Sequence, residues 1–271
     1  MATGTGQAQS IAAEPGRWQR RLVRWGRAAV DLLFPPRCAL CDADLGDAED
    51  GLLLCGSCRE QMGPNEWPGC LRCGARSGLA APAGPHCPAC RGARFSFDAV
   101  VPLGSYGGVL RDAVLRMKRA AGEPLSAAAS EFFVRRRGGR MVSLEPDTVI
   151  PIPMHWRRRW VRRTNSPDLL ADRLARFLGV PLLDRALRRC RNTKPQKDLP
   201  PRERFRNVRG AFRVGAGRDL RGARVLLVDD VLTTGATCNE AASLLKNACG
   251  AKMVFVAVLA RAEGDDRQNA P

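Results

Sequence analysis

The sequence predicts an α/β domain preceded by a small cysteine-rich module, and three observations carry this prediction. Eight cysteines fall in two equal blocks between residues 38 and 90. After them, short apolar runs that fit strands alternate with segments of helical spacing, as in α/β folds. One such run, Val225–Val228, leads into two acids, a small polar loop and a helical segment. We divide the chain into residues 1–34 (disordered tail and amphipathic helix), 35–93 (cysteine module), 94–262 (α/β domain) and 263–271 (tail).

Length and charge limit the classes of function. A chain of 271 residues can form one or two domains with a sizeable core. Its net charge of +17 suggests polyanionic partners such as nucleotides, pyrophosphate or nucleic acid. Much of the excess lies in residues 155–224, with 21 basic against 6 acidic residues. No apolar run reaches the roughly 18 residues of a transmembrane helix, so we expect a cytoplasmic protein with no transmembrane segment.

The N-terminal residues before the cysteines divide into two parts. Residues 1–16 are small and polar, which predicts disorder. From Trp18 to Phe34, apolar residues recur at helical spacing with arginines on the other face. We predict a helix that packs on the neighbouring domain, with a membrane-surface helix as the alternative.

The two cysteine blocks have the spacing of zinc ligands. The second block repeats the first at an offset of 32 residues: Cys38, Cys41, Cys55 and Cys58, then Cys70, Cys73, Cys87 and Cys90. Four thiolates presented by two C-x-x-C turns are what Zn²⁺ prefers in a closed structural site. We predict two structural zinc ribbons with one ion per block, and a cross-braced pairing is the alternative. His86 is interpreted as a surface residue, with a substitute zinc ligand as the alternative.

The elements of the α/β domain follow from periodicity and from breaker residues. The strands are predicted at Phe95–Leu103, Asp147–Pro151, Leu182–Cys190, Val225–Val228 and Lys252–Leu259. The helices are predicted at Val109–Ala121 and Leu125–Val134, from Ser166 to Gly179, and at Ala236–Ala248. A basic loop is expected over Arg135–Arg140, and a lid or disordered segment over Arg191–Arg209. Cys190, Cys238 and Cys249 are expected to be buried free thiols.

Two basic segments are candidates for anion binding. Residues 151–165 interleave Trp156 and Trp160 with five arginines, which suits phosphate contacts and base stacking, although a solvated face is the alternative. Lys194 and Lys197 lie in the segment predicted to be a lid. The candidate contacts to pyrophosphate or nucleic acid are Lys118, Arg162, Arg163, Lys194 and Lys197.

The acids and the loop after Val228 form the main candidate site. Asp229 and Asp230 come where the predicted strand ends, and Thr233, Thr234, Gly235, Ala236 and Thr237 lead into the predicted helix. A helix N-terminus with a small, hydroxyl-rich loop suits a phosphate. Carboxylates accept hydrogen bonds from vicinal hydroxyls. The ligand that fits both parts is a ribose 5-phosphate.

At these residues the sequence resembles the type I phosphoribosyltransferases. The match is V-L-L-V, Asp229-Asp230, Val231-Leu232 and T-T-G-A-T. The resemblance implies their fold, a mostly parallel sheet with flanking helices. It also implies that Asp229 and Asp230 hold the ribose hydroxyls of phosphoribosyl pyrophosphate and serve catalysis, while residues 233–237 bind its 5-phosphate. Mg²⁺ would arrive bound to that substrate.

The chain as a whole, from about Leu32 to Arg261, is similar to the ComF family. The match includes L-L-F-P-P-R-C from Leu32, both cysteine blocks, S-Y-G-G-V-L-R-D-A-V-L-R-M-K ending at Lys118, and N-V-R-G-A-F from Asn207. The family implies a role in using imported DNA during natural competence, with single-stranded DNA and competence proteins as partners.

Two interpretations of activity stay open at this stage. The first is a phosphoribosyltransferase that displaces pyrophosphate at the anomeric carbon, where catalysis is mainly positioning and charge stabilisation. Its acceptor is unknown. The second is a non-catalytic nucleic-acid-binding or adaptor module that keeps the same fold.

Overall fold

The computed structural model describes residues 35–46, 50–76, 87–154, 166–194, 199–215 and 219–262. Several predicted features lie outside these residues: the amphipathic helix before Phe34, His86, the Trp/Arg segment at 155–165, Lys197 and the tail after 262. Within the described residues, no helix is both long enough and apolar enough to cross a membrane.

Six helices and six strands make up the described structure. The helices are α1 Gly56–Met62, α2 Gly108–Met117, α3 Glu123–Ser143, α4 Ser166–Leu178, α5 Pro201–Val208 and α6 Ala236–Cys249. The strands are β1 Ala99–Ser105, β2 Thr148–Pro151, β3 Leu187–Arg189, β4 Phe212–Val214, β5 Arg224–Leu232 and β6 Met253–Arg261.

Four of the strands form the parallel sheet that organises the domain. Their order is β1-β6-β5-β2, and every neighbouring pair is parallel. Both faces of β5 are buried, because Leu226 and Val228 pack with α3 and α4 while Val225 and Leu227 pack with α6. Burial on both faces explains the unbroken apolar run in the sequence. The predicted α/β class is confirmed.

Strand β5 is longer than predicted. It continues through both acids to Leu232, and Val231 and Leu232 still pair with Ala260 and Arg261 of β6. Asp229 and Asp230 are therefore strand residues. Consecutive strand residues point to opposite faces, so the two carboxylates leave the sheet on opposite sides.

The prediction of a basic loop at residues 135–140 is wrong. Helix α3 runs from Glu123 to Ser143 without a break. Gly138 lets α3 approach α4 closely, since a Cβ there would lie 2.7 Å from the Phe177 ring. Arg137 is buried rather than solvated. Tertiary packing has overridden the helix-breaking tendency of the Gly-Gly pair.

The segment at 191–209 is also more ordered than predicted. Its second half forms α5, while β3 and β4 form an antiparallel pair beside α6. The predicted strand at 182–190 shortens to β3, because Leu182 instead makes a single bridge to Val149. Cys190 is exposed, contrary to expectation, whereas Cys238 and Cys249 are buried as expected.

The cysteine module packs directly on the α/β domain. Arg137 donates hydrogen bonds to Pro102 and Leu103 in β1, and also to the carbonyl oxygens of Pro64 and Asn65 in the module. Close approach is needed as well, because a Cβ on Gly104 would lie 2.3 Å from the Met62 carbonyl oxygen. The first cysteine block is thus held against the edge of the sheet.

This contact predicts opposite effects for two glycine substitutions. In Gly104→Ala the new methyl group would overlap the Met62 carbonyl oxygen, so the substitution should destabilise the protein by about 1–3 kcal/mol. Gly139→Ala, on the exposed side of α3 with open space around its Cβ, should instead stabilise it by about 0.5–1 kcal/mol. Urea unfolding of both variants provides the test, and equal shifts would contradict the proposed close contact.

Candidate ligand site and metal centres

The eight cysteines gather into two clusters that follow the sequence blocks. One cluster holds Cys38, Cys41, Cys55 and Cys58, and the other holds Cys70, Cys73, Cys87 and Cys90. Within each cluster all sulfur atoms lie within 4.8 Å of one another. The blocks are sequential in space, not cross-braced. Four sulfurs at this separation match the tetrahedral ligand set of Zn²⁺.

The protonation pattern of the clusters also suits a cation. Burial raises the pKa of Cys38, but backbone N–H groups of Cys41 and Cys55 oppose it, and the pKa falls to about 6. In the second cluster the same balance lowers the pKa of Cys70 to about 7. Burial raises the pKa of Cys58 and Cys73. Cys38 and Cys70 therefore favour the thiolate form, which is the form that binds a cation.

The candidate ligand cleft lies at the carboxyl end of β5. It is lined by Asp229, Val231, Leu232, Thr233, Thr234, Gly235, Ala236, Thr237 and Cys238. In open parallel sheets, ligands bind outside the carboxyl ends of strands. The acid and the loop predicted from the sequence therefore share one cleft.

Asp229 faces α6. Its Oδ1 accepts the Asp230 backbone N–H at 2.8 Å, and its Oδ2 lies 3.8 Å from the Cys238 thiol. Burial and the neighbouring charge of Asp230 raise the pKa of Asp229 to about 7. Near neutral pH this carboxyl can thus exist in both forms. Cys238 was expected only as a buried thiol, and its contact with the acid was not foreseen.

Asp230 faces the other side of the sheet and is not among the residues lining the cleft. Its Oδ2 lies 2.8 Å from the Nζ of Lys118, which follows the last residue of α2. Both side chains are largely shielded from solvent, with 21% and 28% exposure. Lys118, predicted from the sequence to contact pyrophosphate, is in this structure the ion-pair partner of Asp230. Arg116, two residues earlier, donates to the Leu40 carbonyl oxygen and so anchors the end of α2.

The loop after β5 turns directly into the start of α6. Gly235 has a φ of 80°, which favours glycine, and α6 begins at the next residue. Below the loop, the stacked rings of Phe95 and Phe97 lie 3.4 Å from the position of a Cβ on Gly235. On its other side, Arg261 donates to the carbonyl oxygens of Leu232 and Thr233.

Of the other predicted contacts, Lys194 lies within the described residues. Lys194 is exposed, and its backbone carbonyl oxygen accepts a hydrogen bond from Asn207. Arg162, Arg163 and Lys197 lie outside the described residues. The sequence analysis missed Arg261, and the available signal was a lone arginine at the end of an apolar strand.

Comparison with known proteins agrees with this fold. A family model described as a double zinc ribbon domain matches residues 29–91, and one described as a phosphoribosyl transferase domain matches residues 169–271. A purine phosphoribosyltransferase structure from Pyrococcus horikoshii is 23% identical, with a TM-score of 0.33, over 49% of this chain and 73% of that one. The two family models identify a phosphoribosyltransferase-type α/β domain joined to a double zinc ribbon.

Relatives that cover most of the chain define the family more narrowly. Competence protein F of Haemophilus influenzae is 31% identical over 84% of this chain and 98% of its own length. DNA utilization protein YhgH of Salmonella typhimurium is 31% identical over 71% of this chain and 90% of its own length. The chain belongs to the ComF family.

The cluster geometry predicts two independent zinc ions per chain. Metal analysis of the purified protein should give two equivalents, and Cys41→Ser or Cys73→Ser should each remove about one. Chelation should lower the melting temperature, because metal binding drives the folding of such small modules. Loss of both ions on either single substitution would contradict independent sites.

Proposed function

We propose that the cleft at the end of β5 binds phosphoribosyl pyrophosphate or a related ribose phosphate. The observation that carries the proposal is the joint position of Asp229 and the 233–237 loop around one cleft. A carboxylate suits the sugar hydroxyls. The positive end of α6 and the N–H groups of its first turn suit the 5-phosphate. In this proposal residues 94–262 form the ligand-binding part and residues 35–93 the metal-binding part, with one structural Zn²⁺ in each cysteine cluster.

The second acid takes part once its ion pair with Lys118 opens. Asp230 then meets a ribose hydroxyl, and the released Lys118 ammonium turns to the pyrophosphate. Arg162, Arg163, Lys194 and Lys197 are the further candidates for that anion. Mg²⁺ comes with the pyrophosphate, since this ion is usually held by one or two carboxylates plus phosphates. Any catalysis here is displacement of pyrophosphate by an acceptor that these residues do not identify.

The acids provide the direct test of ligand binding. Asp229→Asn and Asp230→Asn should each weaken binding of phosphoribosyl pyrophosphate and ribose 5-phosphate about tenfold or more, because a hydrogen bond to a charged group contributes about 1.5–3 kcal/mol. Isothermal titration calorimetry measures the affinities. The matched control is Asp184→Asn, whose side chain is 64% exposed and far along the chain from the cleft.

Equal affinities in both acid variants and the control would contradict the proposal. Release of pyrophosphate, followed separately in the same variants, decides between the enzyme and the binding module. Binding without turnover across candidate acceptors favours the module.

We further propose that the antiparallel pair β3–β4 contacts the backbone of single-stranded nucleic acid. Arg188 and Arg213 are exposed and lie directly opposite each other in the antiparallel pair. Like charges in this position repel, and neither has an ion-pair partner among the residues that the structure describes. A polyanion would remove the repulsion. The relatives named for competence and for DNA utilization support a role in handling imported DNA, with competence proteins as further partners.

The neighbouring helix α5 has the composition of the same kind of surface. Arg202, Arg206 and Arg209 are exposed in and just after it, and Phe205 is 40% exposed. Exposed aromatic rings among basic residues allow bases to stack while phosphates are neutralised.

The cytoplasmic location stays a prediction.

Salt dependence tests the nucleic-acid proposal. Combining Arg188→Ser with Arg213→Ser should weaken binding of an oligothymidylate and reduce the slope of log affinity against log salt by about 1.4, at about 0.7 per phosphate contact. The matched control combines Arg176→Ser with Arg221→Ser, two exposed arginines that are each paired with an acid. If the Arg188/Arg213 variant loses no more affinity than the control, and its salt slope falls no further, then the β3–β4 pair is not the binding surface.

A further inference from the structure

We infer that Arg261 is a positioning residue that joins the second cysteine cluster to the 233–237 loop, so that the metal centre sets the geometry of the ligand cleft. The inference rests on the proposed ribose phosphate site. It assigns the second cluster a task beyond folding, namely to hold the loop in the form that receives a phosphate.

Arg261 connects the two sites through backbone carbonyl groups. Its Nε donates to the Cys73 carbonyl oxygen at 2.9 Å, and Cys73 is a member of the second cluster. Its Nη1 donates to the carbonyl oxygens of Leu232 at 3.1 Å and Thr233 at 2.5 Å, and to that of Ala262. The side chain is buried at the end of β6. One guanidinium therefore touches a metal-ligand residue and the start of the loop.

The Leu232 carbonyl oxygen also accepts the Ala262 backbone N–H, and together these bonds fix which way the loop amides point. In a trans peptide, the C=O of one residue and the N–H of the next are roughly antiparallel. Because the Leu232 and Thr233 carbonyl oxygens turn to Arg261, the N–H groups of Thr233 and Thr234 point away from it. Donors on this side of the loop are what an anion needs.

A second link runs from the same C-x-x-C turn to the floor of the loop. Arg72, next to Cys73, donates to the carbonyl oxygens of Phe95 at 2.7 Å and of Phe97. The rings of these two residues lie under Gly235. The turn that carries two sulfur ligands thus holds the loop from below through Arg72 and from the side through Arg261.

Arg137 provides a matched control for Arg261. Both are buried arginines that donate to carbonyl oxygens of the cysteine module and of the α/β domain. Arg137, however, contacts β1 and the residues between the two cysteine blocks, whereas Arg261 contacts the loop. Substitution of either arginine should weaken the packing of the cysteine module on the α/β domain. Only substitution of Arg261 should also disturb the geometry of the 233–237 loop.

The experiment compares Arg261→Met and Arg261→Lys with Arg137→Met in the zinc-loaded full chain. Hydrogen exchange, read by mass spectrometry without ligand, should accelerate in the peptide covering residues 232–237 in both Arg261 variants and not in Arg137→Met. Phosphoribosyl pyrophosphate affinity should fall about tenfold or more in Arg261→Met, as expected for a displaced binding loop. Cys90→Ser, which removes a ligand from the second cluster, should reproduce the faster exchange.

The outcomes separate this inference from the proposed function. Unchanged exchange of the loop in Arg261→Met and in Cys90→Ser overturns the coupling, as does an equal increase in Arg137→Met. If the wild-type protein binds neither phosphoribosyl pyrophosphate nor ribose 5-phosphate, the ligand proposal fails while the exchange data still decide the coupling. If Arg261→Met does not fold, Arg261→Lys provides the same test, because lysine keeps the charge and loses the planar guanidinium. The hydrogen exchange of residues 232–237 in that variant then decides the coupling.

Discussion

The burial of β5 on both faces is the constraint on which the candidate site depends. Since successive residues of a strand point to opposite sides, the two acids at its end are held by different layers of the domain. Asp229 meets α6 through Cys238, and Asp230 meets Lys118 at the end of α2. Burial raises the pKa of the first acid, while the second has a cation beside it. Two adjacent carboxylates thus acquire different environments, which suits them to different parts of one ligand.

Arginines that donate to backbone carbonyl oxygens tie the cysteine module to the α/β domain, alongside the apolar packing of residues such as Leu54 and Met62. Arg116, Arg137 and Arg261 each span the boundary in this way. A planar guanidinium can serve several carbonyl groups at once, and its own burial is compensated only when those acceptors are in place. Such contacts require each cysteine cluster to be correctly formed, which connects the metal centres to the parts of the domain beside the cleft.

The incorrect predictions share a physical cause. The Gly-Gly pair in α3 signals a loop locally, but Gly138 is used to bring Phe177 of α4 against the helix. The proline-punctuated segment before Arg209 looks unstructured, yet Val208 in α5 is buried in the core beside α6. Cys190 was expected to be buried, but it is exposed and directly follows the last residue of β3. In each case the deciding contact comes from a distant element, and no local pattern contains it.

By itself, the sequence determined the features that depend on near neighbours along the chain. These are the spacing of the cysteines, the buried apolar strand, and the order of acids, loop and helix, because ligand geometry, side-chain alternation and helix capping act over a few residues. Only the tertiary structure decided that Lys118 pairs with Asp230 and that Arg261 joins Cys73 to Thr233. Those partners are separated by about thirty to nearly two hundred positions. Their meeting follows from how the parallel strands and the cysteine module pack, which no short stretch of residues encodes.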